Sequence, residues 1–203
     1  MESLARCITK KLVEQNIIEL KDEAIYHYGI QLILSGVWIF SWIIGIGILV
    51  NQLYASIIFI ITMFGLRHYT GGYHANSYCK CFFLSCGSFI ITLLMIFIQK
   101  EWDLKYTLII CSLLCTIYLC KKGSLNSEKN PKTDVEMHYR KQATRLLSCM
   151  YSLLSYFFVC VIDTYLEIAM ILVCVQLFAT LAMWIFINER RNDNEKSNFK
   201  RRC

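Results

Sequence analysis

Proline is almost missing from this chain: Pro131 is the single instance in 203 residues, so no other position carries the ring that bars a residue from a helix interior. Charge is missing over long stretches. No Asp, Glu, Lys or Arg occurs from Ile30 to Leu66, Cys81 to Ile98, Tyr106 to Cys120 or Leu146 to Ile162. Such runs exclude a soluble globular domain, because a helix or strand on a soluble surface needs a polar face. A cleavable leader is not evident either, since residues 1–29 interleave Arg6, Lys10, Lys11 and Lys21 with Glu14, Glu19, Asp22 and Glu23 before the first long apolar run. Paired cysteine spacings in polar segments are also lacking. The eleven cysteines are an odd number, and Cys86, Cys111, Cys115, Cys149, Cys160 and Cys174 sit inside apolar runs, where they read as free, soft packing residues rather than a disulfide framework.

What is present is apolar mass: 56% hydrophobic residues and a positive mean hydropathy, the mark of a lipid-embedded chain. A hydrocarbon core takes roughly 20 apolar residues per helix, fewer where the bilayer thins. By that ruler six spans are expected, at about 30–50, 53–66, 81–98, 106–120, 146–162 and 165–187, the second and fourth of them short. The fold class expected is all-α: a multi-pass integral membrane helical bundle, preceded by an N-terminal amphipathic helix and forming one membrane domain over residues 1–203. Within 1–29, Leu4, Ile8 and Leu12 recur at helical spacing, as do Val13 and Ile17. That pattern suits a helix lying on the membrane surface as well as it suits a solvated extension.

Basic residues set the expected topology, because short loops rich in Lys and Arg stay in the cytoplasm. The N-terminal segment has four, the 51–52 turn none, the 67–80 loop two, the 99–105 loop two, the 121–145 loop seven, the 163–164 turn none and the 188–203 tail six. Six crossings then leave both termini and the loops 67–81 and 121–145 on the cytoplasmic side. The 121–145 loop holds Pro131 within Asn130-Pro131-Lys132 and reads either as a topology determinant or as a docking surface for an acidic partner. The polar tail, 188–203, reads as solvated and disordered.

One stretch is neither a span nor an ordinary connector: Arg67-His68-Tyr69-Thr70-Gly71-Gly72-Tyr73-His74-Ala75-Asn76-Ser77-Tyr78-Cys79-Lys80-Cys81. It holds two of the four histidines and the Gly-Gly pair, and ionisable residues against a membrane are functional candidates by default. A cysteine becomes a nucleophile when a neighbouring base or cation favours its thiolate, and histidine is the usual partner. In one continuous helix His74 and Cys81 would lie roughly 10.5 Å apart along the axis. Proton transfer needs contact near about 3 Å, so the chain has to turn between them, with Asn76-Ser77 as the candidate turn. Cys79 is the rival nucleophile. The lone Cys79-Lys80-Cys81 spacing, with no second pair, is weak evidence for zinc, and no metal and no cofactor is expected. Gly71-Gly72 would supply N–H donors to an oxyanion or a peptide, or simply connect. Arg67 reads equally as a bidentate partner for a substrate carboxylate and as an interfacial anchor.

Arg-x-x-x-Gly-Gly-x-His-Ala with a cysteine seven residues after the histidine, opening an apolar span, resembles the accessory gene regulator B (AgrB) family of membrane cysteine endopeptidases in Gram-positive quorum sensing. The matching residues are Arg67, Gly71, Gly72, His74, Ala75 and Cys81. The likeness extends to the length, the N-terminal segment, the spans and the basic loop. What it implies is cleavage of the acidic C-terminal tail of an AgrD-like pheromone precursor, with His74 as general base and Cys81 carrying a thioester. An internal Cys or Ser of the peptide then resolves the thioester into a cyclic thiolactone or lactone. Arg67, Gly71 and Gly72 become substrate or oxyanion residues by the same carry-over, and the group that orients His74 is open between Asn76, Ser77 and a residue of another span. The reading from another class is a non-enzymatic membrane peptide binder or small transporter whose loop grips a ligand. Expected partners are the precursor and the lipid bilayer, with no nucleic acid, and Gly36, Gly45 and Gly47 are compatible with the close helix packing of a homodimer.

Overall fold

The structure, a computed structural model, describes residues 2–70, 78–101, 105–124, 133–161 and 165–202. Seven α-helices run through them: α1 (Glu2–Glu14), α2 (Glu23–Leu49), α3 (Leu53–Thr70), α4 (Tyr78–Glu101), α5 (Lys105–Lys122), α6 (Asp134–Val161) and α7 (Leu166–Arg202), with a 3-10 turn at Leu20–Asp22 and no strand among the described residues. Lipid offers the backbone no hydrogen bonds, so a chain this apolar satisfies its own peptide groups in helices. The hydroxyls inside the spans do likewise: Ser41 donates to the Val37 carbonyl at 2.9 Å, Thr62 to Ile58 at 2.7 Å and Thr92 to Ser88 at 2.9 Å.

Helices stop where a left-handed residue is tolerated. Asn16 (φ 54°), Asn51 (φ 58°) and Gly123 (φ 69°) follow α1, α2 and α5, and the chain beyond each bonds back onto the last turn, as in Gln52 N to Gly47 O at 2.7 Å and Gly123 N to Leu119 O at 2.7 Å. The Asn51 reversal brings α3 hard against α2. Ser56 donates to the Ile43 carbonyl at 3.2 Å, and a Cβ on Gly47 would collide with the Ser56 hydroxyl. After Gly123 no proline or glycine remains except Pro131, and α7 runs unbroken to Arg202. The disordered tail expected past Ile187 is therefore corrected: that stretch is helical to Arg202 and holds neither proline nor glycine.

Among the described residues, five helices are long and apolar enough to cross a membrane: those within 20–49, 53–70, 81–99, 134–160 and 166–188. The bundle is all-α, as the composition implies. α5, the fourth expected span, forms as one helix but carries Lys105, Lys121 and Lys122 in its 18 residues, which leaves only Tyr106 to Cys120 apolar. It is held in the bundle by packing on α6 and α7. Two polar boundaries also shift. α3 continues past Leu66 to Thr70, so Arg67 stands on a helix and not in a loop. α6 begins at Asp134, so the second half of the expected 121–145 loop is helical; Thr133 accepts the Glu136 N–H at 3.4 Å, the start of a Thr-x-x-Glu cap. Asn130-Pro131-Lys132 lies outside the described residues.

α7 is the axle. Ala169 through Gln176 are buried on every side, and α3, α4, α5 and α6 all pack on it. The outer helices bury single stripes at helical spacing, such as Ala55, Phe59, Thr62, Leu66 and Thr70 on α3 and Leu108, Ser112, Cys115 and Leu119 on α5. Their other faces present Trp38, Trp42, Ile61, Phe64, Phe97 and Leu153 outward, as lipid contact requires. α1 follows the same division: Ala5 and Thr9 are buried toward α2, while Leu4 and Ile8 face away from the protein.

Candidate functional site

The last turn of α3 and the first turn of α4 meet at one end of the bundle. Leu66 and Thr70 anchor α3 in the core, which leaves the intervening Arg67 half-buried and directed at α4. Its Nη2 donates to the Sγ of Cys81 at 3.3 Å, and its Nη1 donates to the Oγ of Ser85 at 3.2 Å. Cys81 and Ser85 are one turn apart on the same face of α4, so one planar guanidinium spans both. Cys81 is half-buried, a free thiol packed against the core, and it sits in the first turn of its helix, where the dipole favours negative charge.

Four of the other described thiols have different surroundings. Cys115 and Cys120 lie beside the hydroxyls of Thr180 and Ser148 at 4.0 and 3.9 Å, and Cys86 and Cys174 are buried in the apolar core. A neutral hydroxyl neighbour does little for a thiolate. A guanidinium neighbour stabilises charge on sulfur, and does so more strongly where water is scarce.

His68 does not join this cluster. It is exposed and stacked on Phe64 with ring centroids 6.1 Å apart, edge-on to Tyr69 at 5.0 Å. Tyr69 in turn meets Tyr139 of α6 at 6.4 Å, so the polar start of α6 lies at the same end of the bundle as Arg67. Arg145 crosses from α6 to the Cys120 carbonyl at 3.1 Å, which brings the end of α5 to that side as well.

Of the residues singled out from the sequence, Arg67 and Cys81 are brought into contact. Gly71, Gly72 and His74, together with the candidate turn Asn76-Ser77, lie outside the described residues, and of Cys79 only its place on α4 is described. Ser85 was not singled out from the sequence. Its signal was the i,i+4 spacing from Cys81, which means nothing until a third residue is known to bridge the pair.

A family model for accessory gene regulator B matches residues 5–185. The chain belongs to this family. The match runs from α1 to near the end of the apolar part of α7 and takes in the whole 67–81 segment. No curated relative and no solved structure matches the chain. Membership supports a role in quorum-sensing peptide processing, on a peptide precursor and in a membrane.

Proposed function

We propose that the chain is a membrane-embedded cysteine endopeptidase that cleaves an AgrD-like precursor by acyl transfer, with Cys81 as nucleophile and His74 as general base. The observation that carries this is the Arg67–Cys81 contact: among the thiols whose surroundings are described above, Cys81 is the one that faces a cation. The Cys81 thiolate attacks the scissile carbonyl, the C–N bond breaks as His74 returns its proton to the leaving amine, and a thioester joins the peptide to Cys81. An internal thiol or hydroxyl of the peptide then gives its proton to His74, attacks that carbonyl, closes the ring and releases the Cys81 thiolate. No water and no redox partner enters the balance. A half-buried site among apolar helices favours this outcome because it restricts hydrolysis of the thioester.

The geometry supports a different role for Arg67 from the two open in the sequence. Donating to Cys81 and Ser85, it acts as partner to the thiol in the free enzyme. Gly71 and Gly72 supply N–H donors near the scissile carbonyl in this reading, and Arg140, Lys141 and Arg145 of α6, with Lys121 and Lys122, steer the acidic precursor tail. The site faces the cytoplasm of a Gram-positive cell, with α5 as a sixth crossing. A reporter fused at each end then reads out on the same, cytoplasmic side; opposite sides would remove α5 from the crossings.

The test is cleavage of a co-expressed precursor. Cys81→Ala and His74→Ala are each expected to leave it uncut while the membrane protein accumulates at its normal level. Normal cleavage by Cys81→Ala, or loss through Cys79→Ala alone, contradicts the assignment. A binder or transporter would leave the precursor uncut in the parent protein too.

A further inference from the structure

We propose that Ser85 is a positioning residue for Cys81 and acts through Arg67; this rests on the reading of Cys81 as nucleophile. An arginine at a span end has a long side chain with many rotamers, and one contact at 3.3 Å to a sulfur does not fix the plane of its guanidinium. A second contact does. Ser85 is buried, 3% exposed, and its Oγ accepts from Nη1 while Nη2 stays on Cys81, so the hydroxyl sets both the height and the tilt of the fork over the thiol. The two acceptors come from the same helix face one turn apart, so they move together as α4 moves. The guanidinium thus stays on Cys81 even if α3 shifts slightly against α4.

Ser88 shows what an uninvolved hydroxyl on the same helix does. It is equally buried at 3% exposed, but it donates to the Ser85 carbonyl at 2.8 Å, the ordinary backbone bond of a serine in an apolar helix. Removing it deletes a hydroxyl from α4 without touching Arg67. The contrast separates loss of a buried polar atom from loss of the acceptor that holds the fork. Threonine at 85 keeps the acceptor and adds one methyl. Lysine at 67 keeps the charge and loses the fork, since an ammonium on a flexible stem cannot span both groups in the same plane.

The consequence is a reactivity of Cys81 that depends on Ser85 only while Arg67 is present. Full-length protein in membranes is treated with iodoacetamide at neutral pH, and alkylation of each cysteine is followed by peptide mass spectrometry, with Cys7, exposed on α1 outside the spans, as the internal reference. Ser85→Ala is expected to slow alkylation of Cys81 about tenfold, the usual worth of one hydrogen bond to a charged group, with Cys7 unchanged. Ser85→Thr restores most of the rate, and Ser88→Ala leaves it within about twofold, since no bond to Arg67 is lost. In an Arg67→Lys background, Ser85→Ala brings no further loss, because residues acting as a unit are non-additive. The proposal is overturned if Ser85→Ala leaves Cys81 alkylation unchanged, if Ser88→Ala slows it equally, or if the losses from Ser85→Ala and Arg67→Lys multiply. Precursor cleavage on the same membranes reports separately on the peptidase reading. Unchanged alkylation in Ser85→Ala overturns the positioning role even where Cys81→Ala abolishes cleavage, and normal cleavage by Cys81→Ala overturns the peptidase reading even where alkylation falls as expected.

Discussion

Two polar clusters interrupt the apolar interior of this bundle, and they are built on opposite terms. Between α5, α6 and α7 the fully buried Gln176 receives the Ser112 hydroxyl on Oε1 at 3.1 Å and donates from Nε2 to the Ser148 carbonyl at 2.9 Å and to Thr116 Oγ1 at 3.4 Å. Ser112 also meets Ser152 and Ser155 at 3.0 and 3.2 Å. Every member of this seam is neutral and uncharged. Between α3 and α4 a guanidinium, half-buried at a helix end, is shared between a hydroxyl and a thiol. A neutral network buried at mid-helix holds helices together. A cation placed against a thiol at a bundle end is costly as glue and useful as chemistry. The seam also accounts for α5: with lysines at both ends and a short apolar stretch, this helix is kept in place by the polar atoms it shares with α6 and α7.

The comparison breaks first at Arg67. Arg67→Ala is expected to lower precursor cleavage by about a hundredfold, a loss comparable to removing one donor from a preorganised catalytic site, while protein level stays near normal. If cleavage by Arg67→Ala matches the parent, the two clusters do not differ in kind. Gly47→Ala tests packing alone. The added methyl strikes Ser56 and should cost about 1–3 kcal/mol of stability, read as a lower midpoint of thermal unfolding in detergent, with Cys81 alkylation unaffected. Gln176→Met, close to it in volume, should cost about 1–2 kcal/mol by the same measurement, again without changing Cys81 reactivity. A large loss of Cys81 reactivity in Gln176→Met, with the fold retained, would make the seam part of the site.

The spans were legible because uncharged runs in a chain with a single proline leave the backbone little choice but helix. The ends were less so. Charge as the edge of the span puts Arg67 in a loop, whereas the helix carries on to Thr70 with Leu66 and Thr70 as its buried edge. α6 starts at Asp134 for a local reason that was readable, the Thr133-x-x-Glu136 cap, but hydropathy alone placed it later. The extension of α7 follows from an absence, since neither proline nor glycine occurs between Leu166 and Arg202. As for the site, the pattern around Cys81 singled out the residue types. The partnership of Arg67 with Cys81 and Ser85, 14 and 18 residues away, depends on how two helices cross, which no spacing rule provides.

The central claim is that Cys81 carries the acyl group. It is tested most directly with a precursor whose internal cysteine or serine is replaced by alanine, so that the thioester has no nucleophile to resolve it. After mixing with the full-length protein, mass spectrometry should find the N-terminal part of the peptide attached to Cys81 and released by hydroxylamine, as a thioester requires. The same adduct on Cys79, or cleavage of this alanine precursor with no adduct on any cysteine, would contradict the account.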